Sequence, residues 1–137
     1  PDVVADTNAV LWLYRDPGRL TPVARAALEV ARQHGRVYFS AITLIELVYL
    51  EARPRFVYPG VLAELSTAAN DPTDPLTVLP VDSAVAAAML RVPRAEVPDM
   101  PDRIIAATAV DRGLPLVSSD SDIRSSAALA ALIPVVW

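Results

Sequence analysis

Short apolar runs alternate along the chain with longer segments whose apolar residues recur at helical spacing. The run at 3–6, Val-Val-Ala-Asp, reads as a buried strand, followed by a helix through Ala9–Tyr14 and a turn at Asp16-Pro17-Gly18. Thr21-Pro22 is an N-cap with proline at the first helical position. It opens a helix to about His34 that Gly35 closes. A second strand at 37–40 leads into a helix at 41–52 that is apolar nearly all round, and Arg53-Pro54 ends it. A helix at 59–69, a strand at 76–81 and an alanine-rich helix from Asp82-Ser83 to Arg91 follow. The proline-bearing stretch 92–101 reads as a loop, 102–112 as a helix closed by Gly113, and 114–119 as a strand. A short helix near 125–131 and a strand at 133–137 complete the chain.

Strands that alternate with helices pair in parallel through right-handed crossovers. Their apolarity on both faces is that of a sheet covered on both sides. The expected architecture is a single domain over 1–137, a three-layer α/β/α fold around a mainly parallel sheet. Ligands of such sheets gather beyond the carboxyl ends of the strands.

Acids fall at that edge. Asp6 ends the first strand, Asp120 follows the fourth, Asp102 opens a helix, and Glu46 stands in the apolar helix 41–52 beside Ile42, Tyr49 and Leu50. Taken singly, Asp6 serves as an N-cap, Asp102 as a favourable charge at a helix N-terminus and Asp120 as a turn former. Glu46 is costly on an apolar stripe without a cation, a partner arginine such as Arg53 or Arg103, or a metal. Together, four carboxylates in one cleft cannot all stay ionised without positive charge. The chain has no cysteine and one histidine, His34, so a metal here is held by oxygen, which suits Mg²⁺ or Mn²⁺. Thiol chemistry and a disulfide framework are excluded, and the single histidine argues against a Ser–His–Asp triad.

The remaining bulk features narrow the picture further. A net charge of −4 argues against a strongly basic nucleic-acid binder, and all 12 basic residues are arginine. With 53% apolar residues in 137, part of the apolar surface is expected to be buried in a homodimer through the helix at 41–52. No apolar run reaches the length of a membrane span and no signal peptide is evident, so a cytoplasmic protein without membrane association is expected. Four glycines leave no phosphate-cradling loop. A phosphorylated-aspartate domain of receiver or haloacid-dehalogenase type needs a lysine that this chain lacks, and the latter also needs an aspartate where Asn8 stands.

The ordered segments DTNAVLW, SAITLIEL, PDRIIAATA and LVSSDSDI resemble the PIN domain and, within it, the VapC toxins of bacterial toxin–antitoxin pairs. The likeness runs essentially from first strand to last. It implies an Mg²⁺- or Mn²⁺-dependent endoribonuclease that cleaves RNA to leave a 5′-phosphate, with a VapB-like antitoxin whose tail occupies the acidic cleft. The family's acidic tetrad falls on Asp6, Glu46, Asp102 and Asp120. Asp6 would be the central ligand, Asp102 and Asp120 direct or water-mediated ligands, and Glu46 the holder of a water or a second ion. The family's hydroxyls near the first and last acids fall on Thr7 and Ser119, and Asn8 on a variable place. The approach to Asp102, VPDMPD, departs from many relatives. There Asp99 is a candidate supporting acid, and Asp122 competes with Asp120. Arg15, Arg19, Arg103 and Arg124 are the candidate RNA-contacting arginines by their nearness to the motifs. The alternative is a catalytically inactive PIN-like module that binds RNA or protein.

Overall fold

The computed structural model describes residues 1–137. Five strands form one sheet in the order β3-β2-β1-β4-β5: β1 Val3–Ala5, β2 Val37–Ser40, β3 Leu76–Leu79, β4 Leu116–Val117 and β5 Val135–Val136. Every pairing is parallel. Eight α-helices surround the sheet: α1 Thr7–Arg15, α2 Pro22–His34, α3 Ala41–Glu51, α4 Val61–Asn70, α5 Ser83–Met89, α6 Met100–Arg112, α7 Ser121–Ser125 and α8 Ala127–Ala130.

The period of two along β1 divides the core. Val3 and Ala5 point into a cluster with residues of α1, α2 and α4, including Val10, Leu28 and Leu65. Val4 points the other way, into a cluster with Val85 of α5, Ile105 of α6 and Leu129 of α8. All three β1 side chains are buried, which is why the strand reads as continuously apolar. The result is the expected three-layer arrangement, with a sheet that is wholly parallel. α3 bridges the layers, since Leu47 joins the first cluster and Ile42 the second.

Several boundaries differ from the sequence expectation, and prolines account for most of them. β3 stops at Leu79, because Pro80 has no N–H to continue the ladder. β4 covers two residues rather than 114–119, with Pro115 before it contributing only its carbonyl, which accepts from Val4 N at 2.9 Å. α6 begins at Met100 rather than Asp102, since Pro101 is tolerated in a first turn. The expected helix at 125–131 is two short ones, with Ser126 ending α7 and capping α8 through Leu129 N at 3.1 Å.

The strand order places a switch point beside β1. From β1 the chain crosses to β2 and β3 on one side, then returns to β4 and β5 on the other. The crevice beyond the carboxyl ends of β1 and β4 is therefore open. Asp6 follows β1 directly, and Ser118 follows β4.

Candidate active site

Asp6 is 5% exposed and held from two sides. Its Oδ1 caps α1 by accepting from Ala9 N at 2.8 Å, and its Oδ2 accepts from Ser118 Oγ at 2.5 Å. The N-cap role read from sequence is thus real and leaves a lone pair on each oxygen. Asp120 caps α7 in the same way, with Oδ2 accepting from Ile123 N at 3.0 Å, while its own N–H donates to Ser118 Oγ at 3.1 Å. Ser118 therefore ties the two acids across the switch point. The hydroxyl expected from Ser119 is that of Ser118. Ser118 is fully buried, so its side chain points into the molecule toward Asp6, and Ser119 is only half-buried.

Glu46 comes from α3 and has no arginine partner; the ion pairs present are Arg15–Glu64 and Arg32–Glu29. Its Oε1 accepts from Thr7 Oγ1 at 2.6 Å, and Thr7 in turn shares a 2.9 Å hydrogen bond with Thr43 Oγ1. Asp102 projects from the first turn of α6. The loop before α6 is pinned by Val92 and Val97, both fully buried, and by Glu96, which accepts from Ser126 Oγ and Ala128 N.

These four acids line one cavity of about 230 Å³ together with Thr7, Asn8 and Leu50. No basic side chain is among the liners, and the electrostatics show the consequence. Burial pushes the Asp6 carboxyl up to about 6, against the lowering effect of its bonds to Ser118 and Ala9, while the charges of Asp120 and Glu46 push it further up. Burial, then repulsion from Asp120 and Asp99, raises Asp102 to about 7. Burial raises Glu46 as well, opposed by the Thr7 hydroxyl and reinforced by the charge of Asp99. The pocket lacks a positive charge. No three of the acids stand close enough to make a compact ready-made metal cluster. The donor set still fits Mg²⁺ or Mn²⁺. Such ions take one or two carboxylates directly and reach others through retained waters. The cavity has room for several waters at about 30 Å³ each.

The supporting residues fall out unevenly. Asn8 lines the cavity and is exposed. Asp99 stands at the N-cap position of α6 without capping it through its side chain, and its charge acts on Asp102 and Glu46. Asp122 is exposed in α7 and is not a cavity-lining residue. Arg103 turns away from the acids: its Nε donates to Val92 O and its Nη2 to Met89 O, both at 2.7 Å, so it secures the chain between α5 and α6. Arg103→Ala is expected to cost about 2 kcal/mol, the loss of charge-assisted hydrogen bonds that leaves carbonyls unpaired, measured as a lower urea midpoint.

Two other candidate arginines are also structural. Arg15 bonds Glu64 at 2.7 Å and Pro59 O, and Arg19 lies 4.8 Å from the Trp12 ring centre. Arg124 is exposed in the last turn of α7. Sequence reading overlooked Thr43 and Ser118 as partners of the acids. The Thr-x-x-Glu spacing on one helical face was a usable signal for the first; nothing local distinguished Ser118 from Ser119.

Comparison with known proteins gives a consistent picture. The PIN domain family model matches residues 3–129. Ribonuclease VapC22 of Mycobacterium tuberculosis is 30% identical over 124 residues, which is 90% of each chain. Among solved structures, VapBC2 of Rickettsia felis bound to a promoter DNA fragment superposes with a TM-score of 0.66 at 13% identity, over 98% of this chain and 97% of that one. VapBC-5 of Mycobacterium tuberculosis, a member of the VapBC family of toxin–antitoxin systems, gives 0.58 at 25% identity, over 98% and 96%.

Proposed function

We propose, since the chain belongs to the PIN-domain family and to its VapC-type members, that it is a metal-dependent endoribonuclease acting as the toxin of a toxin–antitoxin pair. One observation carries the reading: four carboxylates from β1, α3, α6 and the β4–α7 junction line a single cavity that contains no cationic side chain. The 30% identity to a protein named as a ribonuclease supports the reaction class.

In this reading Asp6, Asp102 and Asp120 would hold Mg²⁺ or Mn²⁺ directly or through water, and Glu46 would join them through a retained water. When bound, the ion neutralises charge on the phosphoryl oxygens and makes water a stronger acid. The chain's own groups do the rest. Ser118 and the α1 N-terminus hold Asp6 in place, so little reorganisation is needed on binding. Glu46 Oε1 is engaged by Thr7, leaving Oε2 to accept a proton from the attacking water. Burial raises the Glu46 carboxyl above its ordinary range, the direction that makes its carboxylate a stronger base.

The test is cleavage of cellular RNA by purified protein with Mn²⁺ and with EDTA. Cuts that need the ion and leave 5′-phosphates are expected. Intact RNA with Mn²⁺ present would leave an inactive RNA- or protein-binding module instead. An antitoxin partner is part of the proposal, in keeping with the likeness to VapBC-5, a member of the VapBC family of toxin–antitoxin systems; growth arrest on expression, relieved by a co-expressed partner, is its signature.

The outward face of α3 exposes Ile45, Val48 and Tyr49, at 53%, 53% and 72%. We infer a homodimer there, as the apolar excess of the sequence predicts. Light scattering at micromolar concentration is expected to give twice the chain mass for wild type and the single chain mass for Val48→Asp. A monomeric wild type rejects the dimer. No helix is long and apolar enough to cross a membrane.

A further inference from the structure

We infer that Thr43 is a positioning residue for Glu46, acting through Thr7; the inference rests on the nuclease reading above. Thr43 lies one helical turn before Glu46 on α3, so both side chains occupy one face. Its hydroxyl is fully buried and bonds Thr7 Oγ1 at 2.9 Å, and Thr7 Oγ1 donates to Glu46 Oε1 at 2.6 Å.

The use Thr43 makes of its hydroxyl is unusual for a buried helical threonine. The ordinary partner is the chain's own carbonyl one turn back. Thr108 of α6, equally buried, does this by donating to Ile104 O at 2.8 Å. Thr43 reaches instead to a different helix, at the junction that follows β1. A threonine hydroxyl has a single proton. Because Thr7 gives its proton to Glu46, the Thr43–Thr7 bond must carry Thr43's proton. The order is therefore Thr43 to Thr7 to Glu46 whenever Glu46 is ionised, and burial keeps water from substituting. Both threonines are stiff about χ1. The pair thus fixes which carboxylate oxygen of Glu46 is occupied and which faces the cavity.

Thr43→Val keeps the branched shape and removes the hydroxyl, while Thr43→Ser restores it. Two readouts are needed: Mn²⁺ half-saturation by water-proton relaxation, which requires no turnover, and RNA cleavage. Thr43→Val is expected to raise Mn²⁺ half-saturation about tenfold, the scale seen when a partner of a metal ligand is lost, and to lower kcat similarly with KM unchanged. Thr43→Ser should return both toward wild type. In a Glu46→Gln background, Thr43→Val should add nothing further, because its route runs through that carboxylate.

Equal Mn²⁺ affinity and kcat in Thr43→Val and wild type overturn the inference. So does the same loss with or without Glu46, or a Thr43→Ser that fails to recover. If Thr43→Val does not fold, Thr43→Ala is compared with Thr43→Ser in its place. A wild type that binds Mn²⁺ but leaves RNA intact overturns the ribonuclease reading alone, and the Mn²⁺ readout still decides on Thr43. A wild type that binds no Mn²⁺ overturns both.

Discussion

Asp6→Asn is expected to lower RNA cleavage about a thousandfold and, in the same molecule, to raise the stability of the metal-free protein. The first effect follows from removing the charge at the centre of the site. A thousandfold is about 4 kcal/mol of transition-state stabilisation at 1.36 kcal/mol per decade, in line with the several kcal/mol that a bound metal contributes to phosphoryl charge. The second effect follows from burial. Asp6 is 5% exposed and its carboxyl is pushed up to about 6, so at pH 8 the folded chain holds an anion where water scarcely reaches. The asparagine side chain is neutral, and its oxygen still accepts from Ala9 N to cap α1. Its NH₂ then faces Ser118 Oγ, which must accept where it now donates and so lose part of the gain. A net increase of about 1–2 kcal/mol is expected, a fraction of the roughly 1.36 kcal/mol per pKa unit that the shift represents. Calorimetry in EDTA at pH 8 should show Tm higher by about 5 °C. An asparagine variant that is both active and less stable would contradict the metal-site assignment on both counts.

The pH dependence of the metal-free protein is the second large effect. Asp6 and Asp102 are raised above their unfolded values, to about 6 and about 7. Between those limits the folded chain binds more protons than the unfolded one, so stability falls as pH rises. The contribution is complete below about pH 4 and is lost by about pH 7. Asp6 supplies most of it, on the order of 2 kcal/mol. Asp102 is only half-buried and solvent screens its share.

Asp71 and Glu96 act oppositely. Hydrogen bonds from Thr73, and from Ala128 and Ser126, hold them below their usual range, so their contribution is present above their unfolded values and is lost as pH falls below about 4. The two windows overlap only near pH 4, between the ordinary values of aspartate and glutamate. In EDTA, Tm should therefore pass through a maximum near pH 4–5 and decline toward pH 7. Saturating Mn²⁺ should remove the decline, because binding the ion displaces the protons, and 100-fold excess over Kd adds about 2.7 kcal/mol. A flat EDTA profile from pH 4 to 7, or one that Asp6→Asn leaves unchanged, would show that burial of these carboxyls has no such cost.

Much of the fold was legible because its signals are local. Apolar runs bounded by Asp-Pro, Gly35 and Gly113 mark elements whatever their neighbours, and a β1 buried on both faces needs no alternation to be recognised. The misplaced edges have equally local causes, since Pro80, Pro101 and Pro115 each decide whether a ladder or a first turn can include them. The chemistry of the acids was less legible. Asp6 is the N-cap its sequence context says, and Asp120 caps α7 where a turn was expected, so their local signal is spent on a structural role and cannot reveal the second one. Arg103 follows Asp102 directly and was a candidate partner for Glu46. Adjacent helical residues point about 100° apart, and the guanidinium went to the carbonyls of Met89 and Val92 instead.

By itself the sequence determined that this is an alternating α/β chain with oxygen-only metal chemistry open to it, because residue types and spacings depend on nothing distant. Tertiary structure alone decided that Asp6, Glu46, Asp102 and Asp120 share one cavity, that Ser118 rather than Ser119 bonds Asp6, and that Thr43 reaches Glu46 through Thr7. Those contacts join residues up to 112 positions apart. They are set by the strand order around β1, and no local propensity records which strand lies beside which.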